Sequence, residues 1–204
     1  MNILAIGPHP DDIEFGCGGT LIRYGRRGHN VNLLVLTSGG IGGDADTRAK
    51  EQEAAVKYLK AKNLFWGGFK DTELVDNRDL ILKIEEVVDK VKPDMVFLNY
   101  TEDVHQDHRA ASHAGVSATR YVREVLFYEV PTTINFEPDI FVDIGDILDE
   151  KAALLKTHAS QVDKTKVQDL TILESATSCA TFRGFQGRVK YAEGFKALRI
   201  LREI

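Results

Sequence analysis

The chain is poor in cysteine. Its 204 residues hold two, Cys17 and Cys179, and no CxxC pair. A disulfide framework needs more thiols in a shorter secreted chain, so both are expected as reduced thiols of a cytoplasmic protein. No apolar run reaches the roughly 18 residues of a membrane span. The first residues lack a basic stretch followed by a long apolar one, so no signal peptide is expected. There is no basic excess either: 26 Lys and Arg stand against 31 Asp and Glu, a net charge of −5. That removes the electrostatic footprint of a nucleic-acid binder. Repeats, low-complexity tracts and linkers are missing too. What remains is 43% hydrophobic and 28% charged, the balance of a globular protein. The length suits one domain, 1–204, with a sizeable core.

Short apolar runs alternate with helical patterns. Strands are expected over 1–6, 31–36, 64–66 and 95–98, short and largely apolar, as buried parallel strands are. Two shorter strands are expected at 125–128 and 140–142. Helices are expected over 20–27, 46–62, 80–91, 110–121, 146–158 and 162–172, with Asp46 or Thr47 capping the second. Residues 183–189 read as irregular and glycine-broken, and 191–195 precede a last apolar piece at 198–201. The alternation predicts an α/β fold: a three-layer, Rossmann-like arrangement with a mostly parallel central sheet and helices on both faces.

Two clusters of chemically capable residues follow apolar runs. The first is Gly7-Pro8-His9-Pro10-Asp11-Asp12-Ile13-Glu14, continuing into Phe15-Gly16-Cys17-Gly18-Gly19-Thr20; the second is Asp103-Val104-His105-Gln106-Asp107-His108. In open α/β sheets ligands bind beyond the carboxyl ends of the strands, where both clusters would sit. The glycines of the first are expected to let the backbone turn tightly and approach a ligand. His9 and Asp12 can converge on one ion from a turn, and His108 would complete a catalytic zinc set with one position left for water. Asp11 is then free to act as general base, His105 to stabilise an oxyanion or protonate a leaving amine, and Asp107 to fix a histidine tautomer. Each has a plainer alternative. Asp11 and Asp12 can be helix caps, and His105 and His108 can be surface residues. Arg48 can be a solvated helix charge. Of the other histidines, His29, His113 and His158 show no comparable carboxylate context in the sequence.

Together these segments resemble the PIG-L/LmbE-like zinc-dependent deacetylases. His9-Pro10-Asp11-Asp12 with Glu14 and Gly16 to Thr20 is similar to that family's opening signature, and residues 103–108 to its second. His158-Ala159-Ser160-Gln161 and Tyr191-Ala192-Glu193-Gly194-Phe195 fit its later landmarks. The resemblance implies removal of an N-acetyl group from a small N-acetylglucosamine conjugate or chito-oligosaccharide. It implies zinc on His9, Asp12 and His108, Asp11 as base, His105 at the oxyanion and leaving amine, Asp107 tuning them, and Arg48 on the substrate. A homo-oligomer, trimer or hexamer, is implied by resemblance alone. Gln106 replaces a common proline and Pro8 a common small residue.

Three rival readings remain. A nucleotide-binding oxidoreductase would want GxGxxG spacing and an acidic residue after the second strand, where Thr37-Ser38 stands. A non-catalytic sugar- or metal-binding protein would be expected to lack one of the working residues. Two histidines and a carboxylate also suit Fe2+. The substrate's aglycone depends on loops expected at 37–46 and 177–189.

Overall fold

The computed structural model describes residues 1–201. Five strands run parallel: β1 (Asn2–Gly7), β2 (Asn30–Thr37), β3 (Asn63–Phe69), β4 (Met95–Asn99) and β5 (Glu124–Tyr128). Two more complete the sheet, β6 (Ile140–Asp143) and β7 (Ala192–Arg199), and β7 is antiparallel to both β5 and β6. The order across the sheet is β3-β2-β1-β4-β5-β7-β6. Residues alternate between two cores. Ile3 and Ala5 face one shared with α1 (Asp12–Arg26), α2 (Ala45–Leu59), α5 (Leu148–Leu155) and α6 (Ile172–Gly187); Leu4 and Ile6 face one shared with α3 (Arg78–Val91) and α4 (Gln106–Ala118). This is the three-layer arrangement expected, and both faces of β1 are dry because both are covered.

β1 and β4 are neighbours, with Ile6 opposite Leu98. After β1 the chain builds β2 and β3 to one side, and β4 and β5 lie on the other. The strand order therefore reverses between β1 and β4, which opens a crevice beyond their carboxyl ends. α4 can lie close to the sheet because it is made of small residues: a Cβ on Gly115 would come 2.8 Å from Leu98 Cδ2.

Several expectations need correction. The helix expected at 20–27 begins at Asp12, so Gly16, Gly18 and Gly19 lie inside a helix rather than in a turn. They serve close packing: a Cβ on Gly16 would lie 2.0 Å from Tyr128 Cδ2. The tight turn falls on Asp11, at φ 98°. The cap of α2 is Asp44, which accepts from Thr47 N–H, rather than Asp46 or Thr47. No helix covers 162–172. A 3-10 turn, Ala159–Gln161, is followed by irregular chain, and α6 starts at Ile172 on a reciprocal capping box between Thr171 and Glu174. α6 runs through the stretch expected to be irregular, so 177–187 is helix and not loop. Gly184 does not break it, because that glycine admits a neighbouring chain: a Cβ there would lie 2.5 Å from the Lys190 carbonyl oxygen. The pieces at 191–195 and 198–201 are largely one strand, β7. Both cysteines are free thiols. Among the described residues no helix is long and apolar enough to cross a membrane.

Candidate functional site

The segment leaving β1 is pinned at alternate carbonyls. The Tyr128 hydroxyl donates to the Ile6 carbonyl at 2.8 Å. Thr37 donates to the Pro8 carbonyl through its N–H and its Oγ1, each at 2.9 Å. The Arg48 guanidinium donates to the Pro10 carbonyl at 2.6 Å. Proline at 8 and 10 removes two N–H groups and fixes φ, which suits a segment held by its acceptors. α1 follows, and Asp11 makes no side-chain cap bond to it. The capping alternative for Asp11 therefore does not hold, and its carboxylate stays available.

α1 is also braced in its middle. Gly19 and Thr20 N–H groups donate to Glu193 Oε1 and Oε2 at 2.8 and 2.7 Å. Lys151 Nζ donates to the Phe15 carbonyl and to Glu193 Oε1, both at 2.6 Å. In an uninterrupted helix the Phe15 carbonyl would accept from Gly19 N–H. Here those same two groups also meet a buried ion pair, Glu193 at Gly19 and Lys151 at Phe15.

On the other side of the crevice, the Asn99 side chain donates to the His108 carbonyl at 2.6 Å and Ser112 Oγ to the Asn99 carbonyl at 2.8 Å, fixing α4 against β4. Asp103 accepts from His105 N–H at 2.8 Å and from Thr133 Oγ1 at 3.0 Å. His108 is 5% exposed, so it is not a surface residue.

His9 Nδ1, Asp12 Oδ2 and His108 Nε2 face one another. Nδ1 lies 3.2 Å from Oδ2 and 3.3 Å from Nε2, and Nε2 lies 3.5 Å from Oδ2. Each imidazole is backed by carboxylate on its other nitrogen. His9 Nε2 is 3.1 Å from both Asp107 Oδ2 and Asp71 Oδ1, and His108 Nδ1 is 3.1 Å from Asp103 Oδ2. Those carboxylates accept only, so they hold the far-nitrogen protons, and once the near nitrogens are deprotonated two lone pairs face Asp12. Three acceptors so arranged want a cation. Tetrahedral zinc with bonds of about 2.0–2.1 Å would set donors about 3.3 Å apart. The donor set therefore fits a divalent ion.

Electrostatics follow from this crowding. Burial alone would lower His9, but hydrogen bonds to Asp107, Asp12 and Asp71 raise it to about 11. Burial would likewise lower His108, yet Asp12 and Asp103 raise it. Burial would raise Asp12, and His108 and His9 hold it well below the usual range. Asp11 goes the other way: burial and the adjacent Asp12 push it up to about 6, against the pull of Arg48, His158 and His9. His105 is lowered by burial and by His108 and His9. Its Nδ1 accepts from Asp107 N–H at 3.1 Å, which assigns the neutral ring's proton to Nε2.

A cavity of about 240 Å³ opens here, lined by His9, Asp11, Ile41, Arg48, Asp71 and His105 among others. Depressions of about 450 and 430 Å³ lie elsewhere, at residues such as Lys92, Pro93 and Val122, and Arg23, Tyr24 and Phe141. Neither holds a comparable cluster. Arg48 is 5% exposed, so it is no solvated helix charge. Its guanidinium is bound to protein: the Gly39 carbonyl at 2.8 Å, Pro10, and Asp11 Oδ2 at 3.3 Å.

Sequence reasoning missed Asp71, gave Asp103 no role, and left His158 without a carboxylate. His158 Nε2 is 3.4 Å from Glu14 Oε2, whose other oxygen accepts from Gln52 Nε2 at 2.7 Å. Glu14 is distant in sequence, so no local signal pairs them; the shared signal is that both belong to landmark motifs.

Comparison with known proteins places the chain in a family. Residues 4–119 match the family described as PIG-L: GlcNAc-PI de-N-acetylase. The uncharacterized deacetylase YaiS of Escherichia coli K12 is 35% identical over 167 residues, covering 78% of this chain and 90% of that one. Diacetylchitobiose deacetylase of Thermococcus kodakarensis is 28% identical over 95% of this chain and 82% of its own. A conserved protein of Thermus thermophilus superposes with a TM-score of 0.89 at 29% identity, covering 100% of this chain and 97% of that one. With more than half its length matched by the family description, the chain belongs to the PIG-L (GlcNAc-PI de-N-acetylase) family of deacetylases.

Proposed function

We propose that this protein hydrolyses the acetamide of a small N-acetylated amino sugar, using zinc held by His9, Asp12 and His108. The observation that carries the reading is the convergence of their three acceptor atoms within 3.5 Å of one another. Bound there, a divalent ion supplies Lewis acidity toward the carbonyl and lowers the pKa of water.

The chain's own residues supply the rest. Asp11, at the cavity wall and drawn toward neutral pH, takes the proton of the attacking water and passes it to the departing nitrogen. His105, neutral and with its proton on Nε2, donates a hydrogen bond to the oxygen as negative charge develops there. The new C–O bond yields acetate, and the C–N bond breaks to release a free amine. Asp107 fixes His9 from behind. Arg48 holds Asp11, and through its place at the cavity edge meets the substrate. The diacetylchitobiose activity named for the Thermococcus relative supports an amino-sugar substrate. Cytoplasmic location and a homo-oligomeric state remain part of the proposal.

The test is a panel of N,N'-diacetylchitobiose, N-acetylglucosamine and N-acetylglucosaminyl malate. Metal-stripped protein is reloaded with Zn2+ or Fe2+, and primary amine and acetate are both measured. The reading expects equimolar amine and acetate from at least one substrate, lost with chelator and regained with zinc. Metal-loaded protein that releases no amine from any of them refutes it. Faster turnover with Fe2+ than with Zn2+ would overturn the choice of zinc.

A further inference from the structure

Two carboxylates share one nitrogen of His9, and they are not alike. Asp107 is fully buried and fixed by two backbone donors, Thr72 N–H at 2.7 Å and Leu74 N–H at 3.3 Å. Asp71 comes from the connection between β3 and α3 and faces the cavity. One of its oxygens lies 3.1 Å from His9 Nε2, and the other accepts from Ile41 N–H at 2.8 Å. Ile41 sits in the glycine-rich loop after β2 and is 74% exposed. The same loop is bound at Gly39 by Arg48, which also contacts Asp11. One loop is thus tied to the base through Arg48 and to His9 through Asp71.

The backbone beside Asp71 supports a special role. Thr72 has φ 68°. A β-branched residue in that region is strained, and such strain persists where surrounding structure demands it, often at functional sites. Here it accompanies a turn that brings Asp71's carboxylate to His9 and Thr72's own amide to Asp107.

We propose that Asp71 is a positioning residue that latches the 39–43 loop to His9, so that the loop lining the cavity sets how tightly the centre holds its cation. The physical route is short. Carboxylates behind a metal-bound histidine fix its orientation and raise its basicity, and their loss typically costs 10–100-fold in metal affinity or activity. Asp71 can do this only while its carboxylate is aimed, and the amides of the loop aim it, Ile41 foremost with Gly42 beside it. The inference rests on His9 being a metal ligand.

The experiment is a double-mutant cycle read as Zn2+ affinity, by competition with a chromophoric chelator on metal-stripped protein. Asp71→Ala should weaken zinc about 10–100-fold. Ile41→Pro removes the N–H from an exposed loop position whose bond is to Asp71 and not to His9, Asp12 or His108, and should still weaken zinc, on the order of a few-fold. The double variant should be no weaker than Asp71→Ala alone, because the loop acts through Asp71. Losses that multiply, or zinc affinity unchanged in Asp71→Ala or in Ile41→Pro, overturn the latch. If Asp71→Ala does not fold, Asp71→Asn replaces it in the cycle with the same expectation of non-additivity. His108→Ala is the control: should it bind zinc as tightly as the unaltered protein, the metal-ligand reading fails rather than the latch.

Discussion

Replacing Lys151 by Met tests whether the ion pair packed against α1 supports the fold. The side chains of Lys151 and Glu193 are 5% and 2% exposed and meet at 2.6 Å. Replacing the lysine strands a buried carboxylate whose remaining donors are the Gly19 and Thr20 N–H groups, and it removes the ammonium from the Phe15 carbonyl. Removing one member of a buried pair costs about 3–5 kcal/mol, because the remaining charge is uncompensated. For a domain of this size each kcal/mol shifts Tm by roughly 2–4 °C. Lys151→Met should therefore lower Tm by on the order of 10 °C and shift the urea midpoint without changing the slope. Adding Glu193→Gln removes the stranded charge. Its amide oxygen can still accept from Thr20 N–H, while its NH2 faces the Gly19 N–H, so only the charge part of the loss is recovered. The double variant should recover part of the loss, a coupling that independent sites would not show. A single variant within about 1 kcal/mol of the parent, or a double variant less stable than the single, refutes the reasoning.

Gly16→Ala drives a methyl into the buried Tyr128 ring, 2.0 Å from Cδ2, and disturbs the hydroxyl that holds the Ile6 carbonyl. Overpacking of about 1–3 kcal/mol should outweigh the helical gain of alanine, roughly 1 kcal/mol, and calorimetry should record a lower Tm. Asp11→Asn should retain zinc while losing about 100–10,000-fold in kcat; near-normal turnover would remove Asp11 as base. The same variant should be more stable at pH 7. With Asp11 pushed up to about 6 in the fold and near 3.9 unfolded, the native state holds that proton more tightly, so its ionisation erodes stability as pH rises from about 4 through 6. Finally, His9 raised to about 11 in the ion-free protein carries a proton that zinc must displace. Zinc affinity should rise with pH across 6–8, and binding should release at least one proton into weakly buffered solution; pH-independent affinity with no proton release would contradict the assigned network.

The fold was legible because apolar runs and strand-to-helix alternation are local patterns. That the two motifs could meet was legible because each follows a strand, while the reversal between β1 and β4 that brings them together comes from the sheet order. His9, Asp12 and His108 could be read together for the same reason. The misreadings share a cause. Glycine in a sequence signals turns, but at Gly16 and Gly184 it marks close approach inside helices, which depends on Tyr128 and the Lys190 carbonyl in other parts of the chain. Asp71 was invisible because it belongs to no motif: it meets His9 only after β3 is laid beside β2 and the connection to α3 turns back. Arg48 reads as an ordinary helix charge until the fold surrounds it with the Pro10 and Gly39 carbonyls.

The family match spans residues 4–119, which contain every residue assigned to chemistry here. The landmarks beyond that range, around 158 and 193, nevertheless have a physical reason to accompany it. Glu193 and Lys151 grip the backbone of α1 at Gly19, Thr20 and Phe15, and His158 lies against Glu14, two positions past Asp12. A metal site built on a turn and the first residues of a helix has little rigidity of its own, since a helix start lacks half its backbone bonds. Four glycines in that helix remove more, through the backbone freedom each carries. The charged braces from the second half of the chain replace what is missing. Binding groups must be held within fractions of an ångström to be useful, so the ligand turn and its remote braces act as one unit.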